Sequence, residues 1–239
     1  MGKFSSYTRE FSQLGTDFAG SFLVKTSSRR NAPSLKGYLC LFVSMATKAV
    51  YLEFVSSLTT NAFLACLDRF VARRGLPQTI YSENGTNYFG ASRHLKEIYT
   101  FLRLHHDQLY DLFSQRSVDW RFNPPSAPNF GGLWEAAVKS VKNLLKGLIH
   151  TTSHTFEEYC TLLARIEAIL NSRPLGRCST DPGIQYLTPG DFLIGDPLLS
   201  CPEEVFVKET SCRNRWDQLK RLQQAFWKSW SSEYLQTAR

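Results

Sequence analysis

Asp17, Glu83 and Glu135 are the acidic residues whose surroundings suggest chemistry. Asp17 interrupts an apolar stretch that reads as a strand, where a carboxylate without a partner is a poor choice. Glu83 follows the strand-like residues 78–82 and opens the turn Glu83-Asn84-Gly85-Thr86, while Glu135 lies in the first turns of a helical pattern behind Gly131-Gly132. In an open sheet, functional groups collect at strand ends and helix starts of this kind. Three convergent carboxylates would hold a pair of Mg²⁺ ions about 3.5–4 Å apart, which stabilises the attacking and the leaving oxygen of an in-line phosphoryl displacement. Each residue also has an ordinary use. Asp17 fits a strand edge, Glu83 fits a turn, and Glu135 is a charge that the helix macrodipole favours near its N-terminus. Spacing does not choose between the two uses.

The residues after Glu135 add a second pattern. Glu135, Lys139, Lys142 and Lys146 recur at steps of four, three and four, so at about 100° per residue they share one narrow helical stripe. Leu133, Ala137, Val141, Leu144, Leu145 and Leu148 take the opposite face. One helix thus presents a metal-binding carboxylate and three ammonium groups to the same side, an arrangement suited to a polyanion. A solvated face with a Glu135–Lys139 pair, contributing only about 0.2–0.5 kcal/mol, satisfies the same spacing. Asn84, Thr86 and Asn87 offer hydrogen bonds beside a scissile phosphate, although Asn84-Gly85 is also a common turn dipeptide.

These groups need elements to position them. Residues 14–25 read as a strand around Asp17, a polar loop follows over 26–36, and residues 38–46 and 49–55 read as two further strands joined as a hairpin. From Thr59 the period changes: Phe63, Leu64, Leu67, Phe70 and Val71 lie on one face of a helix capped by Thr59 or Thr60 and stopped at Gly75-Leu76-Pro77. Residues 78–82 and 120–122 supply two more short strands. A strand, helix, strand succession implies a parallel crossover, so the sheet is expected to be mixed. Helices are expected over 131–150, 155–171 and 215–236, the second opening on a Thr155/Glu158 capping box. The third carries Trp216, Leu219, Leu222, Phe226, Trp227 and Trp230 along one broad stripe, better suited to packing against a neighbour than to stacking bases. The stretch 172–214 between them, with its Pro, Gly and Cys, reads as a partly ordered linker.

Four runs around these residues resemble one known family: Asp17-Phe-Ala-Gly20, Leu76-Pro-Gln-Thr-Ile-Tyr-Ser-Glu-Asn-Gly-Thr-Asn87, Phe122-Asn-Pro-Pro-Ser-Ala-Pro-Asn-Phe-Gly-Gly-Leu-Trp-Glu135 and Asn171-Ser-Arg-Pro-Leu175. In this order they resemble the integrase catalytic core of BEL/Pao-type LTR retrotransposons, and the likeness extends from about Leu14 through the Trp-rich terminal stretch. The resemblance implies a ribonuclease-H-like fold, retroviral-integrase-like, with a D, D, E set of metal-binding carboxylates falling on Asp17, Glu83 and Glu135. It also implies Mg²⁺ or Mn²⁺ as cofactor, DNA as partner, DNA-end processing and strand transfer as the reaction, a homo-oligomer when active, and work in the nucleus. Lys139 and Lys142 match the lysines that hold the DNA end in such integrases. The departure is at the middle carboxylate: where the family reads Ser-Asp-Asn-Gly, this chain reads Ser82-Glu83-Asn84-Gly85. The alternative is therefore a catalytically inactive, nucleic-acid-binding remnant. A ribonuclease H acting on RNA–DNA hybrids shares the fold, but the run ending at Glu135 favours the integrase.

Composition is compatible with this. The 239 residues, 43% of them hydrophobic, suffice for a full core, and 28 Lys+Arg against 21 Asp+Glu leave a formal charge of +7 that suits a polyanionic partner. The six cysteines show no C-x-x-C pair, which argues against a structural zinc site and for reduced thiols in an intracellular protein. No run approaches the ~18 apolar residues of a membrane span, and the N-terminus lacks the apolar core of a signal peptide. The expectation is thus an α/β ribonuclease-H-like core with a mixed five-stranded sheet over residues 1–153, then a helical C-terminal extension over 154–239. The zinc-binding and C-terminal domains that usually flank such a core are expected to be absent, as in a piece of a longer polyprotein.

Overall fold

The computed structural model of the protein describes residues 10–29, 31–83, 118–123, 153–176, 186–196 and 215–237, with isolated positions between them that include Lys142. Runs of residues buried on both faces produce the expected meander: β1 (Gln13–Lys25), β2 (Ser34–Ser44) and β3 (Val50–Val55) pair antiparallel in that order. The loop expected over 26–36 is shorter than its polarity suggests, because Lys25 pairs with Ser34 and the hairpin runs to its end. Helix α1 (Thr60–Arg74) then carries the chain across the sheet. The Thr59 side chain accepts from Ala62 N–H at 3.2 Å to start it, and Gly75, at φ 89°, ends it by donating its N–H to the Val71 carbonyl.

The crossover delivers β4 (Thr79–Glu83) parallel to β1, and β5 (Asp119–Asn123) parallel to β4. The sheet order is β3-β2-β1-β4-β5, mixed as expected. It has one strand more than expected. The two residues of β6 (His154–Thr155) pair with Val24 and Lys25 at the end of β1 before entering helix α2 (Phe156–Asn171). Two residues have no readable period, so only the Thr155 capping box was visible; the box itself is present, with both of its hydrogen bonds. A short helix, α3 (Pro189–Ile194), punctuates the stretch read as a linker, and α4 (Arg215–Thr237) follows.

Helices cover both faces of the sheet. On one face Phe63, Leu67 and Phe70 of α1 pack with Leu14, Phe18, Phe42, Ile80 and Trp120. On the other, Leu39, Leu41, Leu52 and Phe54 meet Tyr159, Leu162, Leu163 and Ile166 of α2, and the same cluster takes in Leu219, Phe226 and Trp230 of α4. The expected α/β architecture, a mixed sheet with helices on both faces and a helical C-terminal extension, is therefore the one found. Two glycines are required by it. Gly20, at φ 134°, stands where the β1–β2 register shifts, and a Cβ on Gly37 would come within 2.5 Å of the Phe54 ring.

The tryptophan stripe of α4 divides: Trp230 is buried against α2, whereas Trp216 and Trp227 keep about half their surface, 46% and 50%. Trp216 also lies under the Arg165 guanidinium, 4.6 Å from its ring centroid. At the head of α4, Arg215 binds both carboxylate oxygens of Glu158. That guanidinium, helped by the Thr155 amide, holds the Glu158 carboxyl down to about 2 although burial raises it. The folded carboxyl titrates below the unfolded one, so the stability it contributes is complete above about pH 4.5 and is lost as pH falls toward 2. Glu158→Gln is accordingly expected to flatten the acid limb of the stability profile in that window, measured by urea unfolding at a series of pH values.

Candidate functional site

The site is built on the central strand. Along β1, Thr16 and Phe18 are buried on the α1 side, and Asp17 between them is half-buried. One Asp17 oxygen, Oδ1, accepts the Phe18 N–H at 2.6 Å, which fixes the orientation of the carboxylate from its own backbone. The other, Oδ2, accepts from the Lys142 ammonium. Lys142 is helical and comes from 125 residues further along the chain, and side-chain exposures of 17% for Lys142 and 13% for Asp17 place the pair out of bulk water.

Glu83 ends the neighbouring strand. The parallel register pairs Gly15 with Tyr81 and Thr16 with Ser82, so the next position along each strand is Asp17 on β1 and Glu83 on β4. Adjacent strands run about 4.8 Å apart, and Glu83, the last residue of β4, stands one position beyond the last β1–β4 pair, alongside Asp17 in the interior of β1. Two interactions hold that end in place. Trp120 Nε1 donates to Ser82 Oγ at 3.0 Å across β4 and β5, with the Trp120 ring packed edge-on against Phe63 of α1. Thr16 Oγ1 lies 3.8 Å from the buried Cys40 Sγ. Ser82 and Trp120 were not singled out from the sequence; their signal is a polar residue in a buried strand next to the acid, matched by an indole that needs an acceptor.

Of the residues expected to act, the structure brings together Asp17 and Lys142 and sets Glu83 in the adjoining register position. Glu135, Lys139, Lys146, Asn84 and Asn87 lie outside the described residues. The divalent cation that the resemblance implies can be tested against Asp17 directly. Its Oδ2, partly desolvated and occupied by the Lys142 ammonium, is a hard anionic oxygen of the kind Mg²⁺ or Mn²⁺ takes, and among the described residues no cluster of three His, Cys, Asp or Glu side chains stands with it.

The fourth motif has a structural use. Asn171, fully buried, accepts the Val50 N–H at 2.7 Å and donates to the Val50 carbonyl at 2.7 Å, so its amide pairs with the outer edge of β3 as a further strand would. Glu167 accepts the Leu52 N–H at 2.9 Å on the same edge and binds Arg74; burial pushes its carboxyl above the ordinary range. Arg173 continues the row, donating to the Lys48 and Leu170 carbonyls.

No protein-family model matches this chain, and no curated protein matches it. Among solved structures, it is similar to the catalytic core domain of BIV integrase, with 15% identity and a TM-score of 0.46 over 77% of this chain and 95% of that one. It is also similar to a chain of the simian T-cell lymphotropic virus intasome in complex with PP2A regulatory subunit B56 gamma, with 17% identity and a TM-score of 0.44 over 84% of this chain and 60% of that one. Among the described residues no helix is long and apolar enough to cross a membrane.

Proposed function

We propose that this chain is the catalytic core of a retrotransposon integrase of the BEL/Pao type, acting on DNA by metal-dependent phosphoryl transfer in the nucleus and as a homo-oligomer. The observation that carries the reading is the pairing of Asp17 with Lys142, inside β1 and beside the register position of Glu83. A carboxylate held by its own backbone, an acidic neighbour in register and a cation from a distant helical position are what a phosphodiester site needs. The four sequence runs support the same reading.

In this proposal Asp17, Glu83 and Glu135 hold the divalent ions, which would lower the pKa of a bound water or DNA 3′-hydroxyl and stabilise charge on the scissile phosphate. The protein's own work is positional. Phe18 N–H keeps the Asp17 carboxylate aimed, the Ser82–Trp120 bond keeps the strand end still, and Lys139, Lys142 and Lys146 take DNA phosphates, with Asn84 and Asn87 beside them. No covalent enzyme intermediate is involved.

Glu83 supports a second reading, a DNA-binding remnant without turnover, because its extra methylene sets the carboxylate about 1.5 Å further from the backbone than an aspartate would. The test is to incubate the chain with blunt DNA ends, with a target duplex and with an RNA–DNA hybrid, in Mg²⁺ and in Mn²⁺. Metal-dependent nicking or joining of DNA supports the integrase. Salt-sensitive DNA binding without turnover supports the remnant, and preferential cleavage of the hybrid assigns a ribonuclease H. Absence of DNA binding overturns both proposals.

A further inference from the structure

Lys142 has two candidate partners, and it cannot serve both at once. In the structure its ammonium sits on Asp17 Oδ2, where a divalent ion would sit if Asp17 is a metal ligand. The stripe that includes Lys142 is the one assigned above to DNA phosphates. We propose that Lys142 is an exchangeable counter-ion: it neutralises Asp17 in the metal-free protein and transfers to a DNA phosphate when a divalent cation takes the carboxylate, coupling cation binding to DNA binding. This rests on the reading of Asp17 as a metal ligand and specifies how that site is regulated.

The geometry favours exchange over a permanent clamp. Asp17 does not need Lys142 for its orientation, because Oδ1 is already fixed by the Phe18 N–H at 2.6 Å. A positive charge beside the carboxylate is favourable, since it is half-buried and the adjoining register position on β4 is a second acid, Glu83. Arg or Lys could meet that need, but the two differ in how easily they leave. A guanidinium would bind both oxygens in a fixed fork, whereas an ammonium is a point charge on a flexible four-carbon stem that can turn away without unfolding its helix. A cation of charge +2 at Oδ2 repels the ammonium at contact distance, and a phosphate held beside that cation gives the ammonium a new partner. Each ligand then removes an obstacle to the other, and linkage requires the effect to be equal in both directions.

The expected size is a coupling of about tenfold, within the usual range for linked sites. Mn²⁺ binding to the full chain, followed by electron paramagnetic resonance with and without a DNA duplex, reads it without any need for turnover. Lys142→Gln is expected to bind Mn²⁺ about tenfold more tightly than the unaltered chain when DNA is absent, and the gain in Mn²⁺ affinity that DNA produces is expected to shrink toward onefold. Lys142→Arg, which keeps the charge, is expected to restore the weak Mn²⁺ binding, a result that a merely structural lysine would not give. Circular dichroism establishes that each variant is folded. Unchanged or weaker Mn²⁺ binding by folded Lys142→Gln overturns the exchange. Asp17→Asn separates the two levels: if it loses Mn²⁺ while Lys142→Gln behaves as the unaltered chain, the exchange falls and the metal site stands. If Asp17→Asn binds Mn²⁺ undiminished, both fall.

Discussion

Glu83→Asp is expected to raise metal-dependent strand transfer by on the order of a hundredfold, the usual effect of correcting a displacement of about 1 Å where alignment is the source of the rate. In the proposed site, the backbone that leads into Glu83 is tied down. The β1–β4 register fixes where the Glu83 backbone stands relative to Asp17, the Ser82–Trp120 hydrogen bond holds the residue before it, and the Phe18 N–H prevents Asp17 from turning to compensate. Mg²⁺ demands near-ideal octahedral geometry, so misplacement of one ligand acts on turnover more than on binding. Single-turnover joining of a labelled DNA end, by the unaltered chain and by the variant under the same conditions, measures the ratio. Equal and robust joining by both would show that the glutamate is no impairment.

A second large effect is expected away from the site. Asn171→Leu keeps the volume but removes an amide that satisfies both the N–H and the carbonyl of Val50 on the edge of β3. Each buried backbone group left without a partner costs about 1–3 kcal/mol, so the substitution should destabilise the fold by roughly 2–6 kcal/mol. At about 2–4 °C per kcal/mol for a chain of this size, thermal unfolding should move down by roughly 4–24 °C. Asn171→Asp is the informative companion. Ionised, it keeps an acceptor for the Val50 N–H but sets a buried charge against the Val50 carbonyl, so at neutral pH it should be no more stable than Asn171→Leu. It should recover as the carboxyl protonates and gains an O–H donor. A melting temperature for Asn171→Leu within 2 °C of the unaltered chain, about the shift from a single kcal/mol, would remove the amide from any role in edge pairing.

The sequence exposes what repeats and hides what meets. The apolar run through Phe18, Phe22, Leu23 and Val24 marks a strand and marks Asp17 as its anomaly, and the four-three-four spacing marks Lys142 as sharing a face with Glu135. That Lys142 reaches Asp17 is a contact across 125 residues, which no local period encodes. Asn171 illustrates the same limit from another side. Its run was conspicuous as a resemblance, yet the bond to Val50 depends on where α2 ends relative to β3, and this is settled by how Leu162, Ile166 and Ile169 pack on the sheet. The two residues of β6 escaped because a pair of residues has no period. The division of the α4 tryptophans into buried and exposed was equally hidden, since the stripe is wider than the surface available to receive it.

The placement of α4 bears on what happens to shortened copies of this gene. A premature stop codon between Asn171 and Arg215 would delete Leu219, Phe226 and Trp230 together with the guanidinium clamped to Glu158, leaving the side of α2 they cover greasy and wet. Such a product would invite clumping and clearance by quality-control proteases, so a truncated allele should behave as a null even with every acidic residue of the strand ends intact.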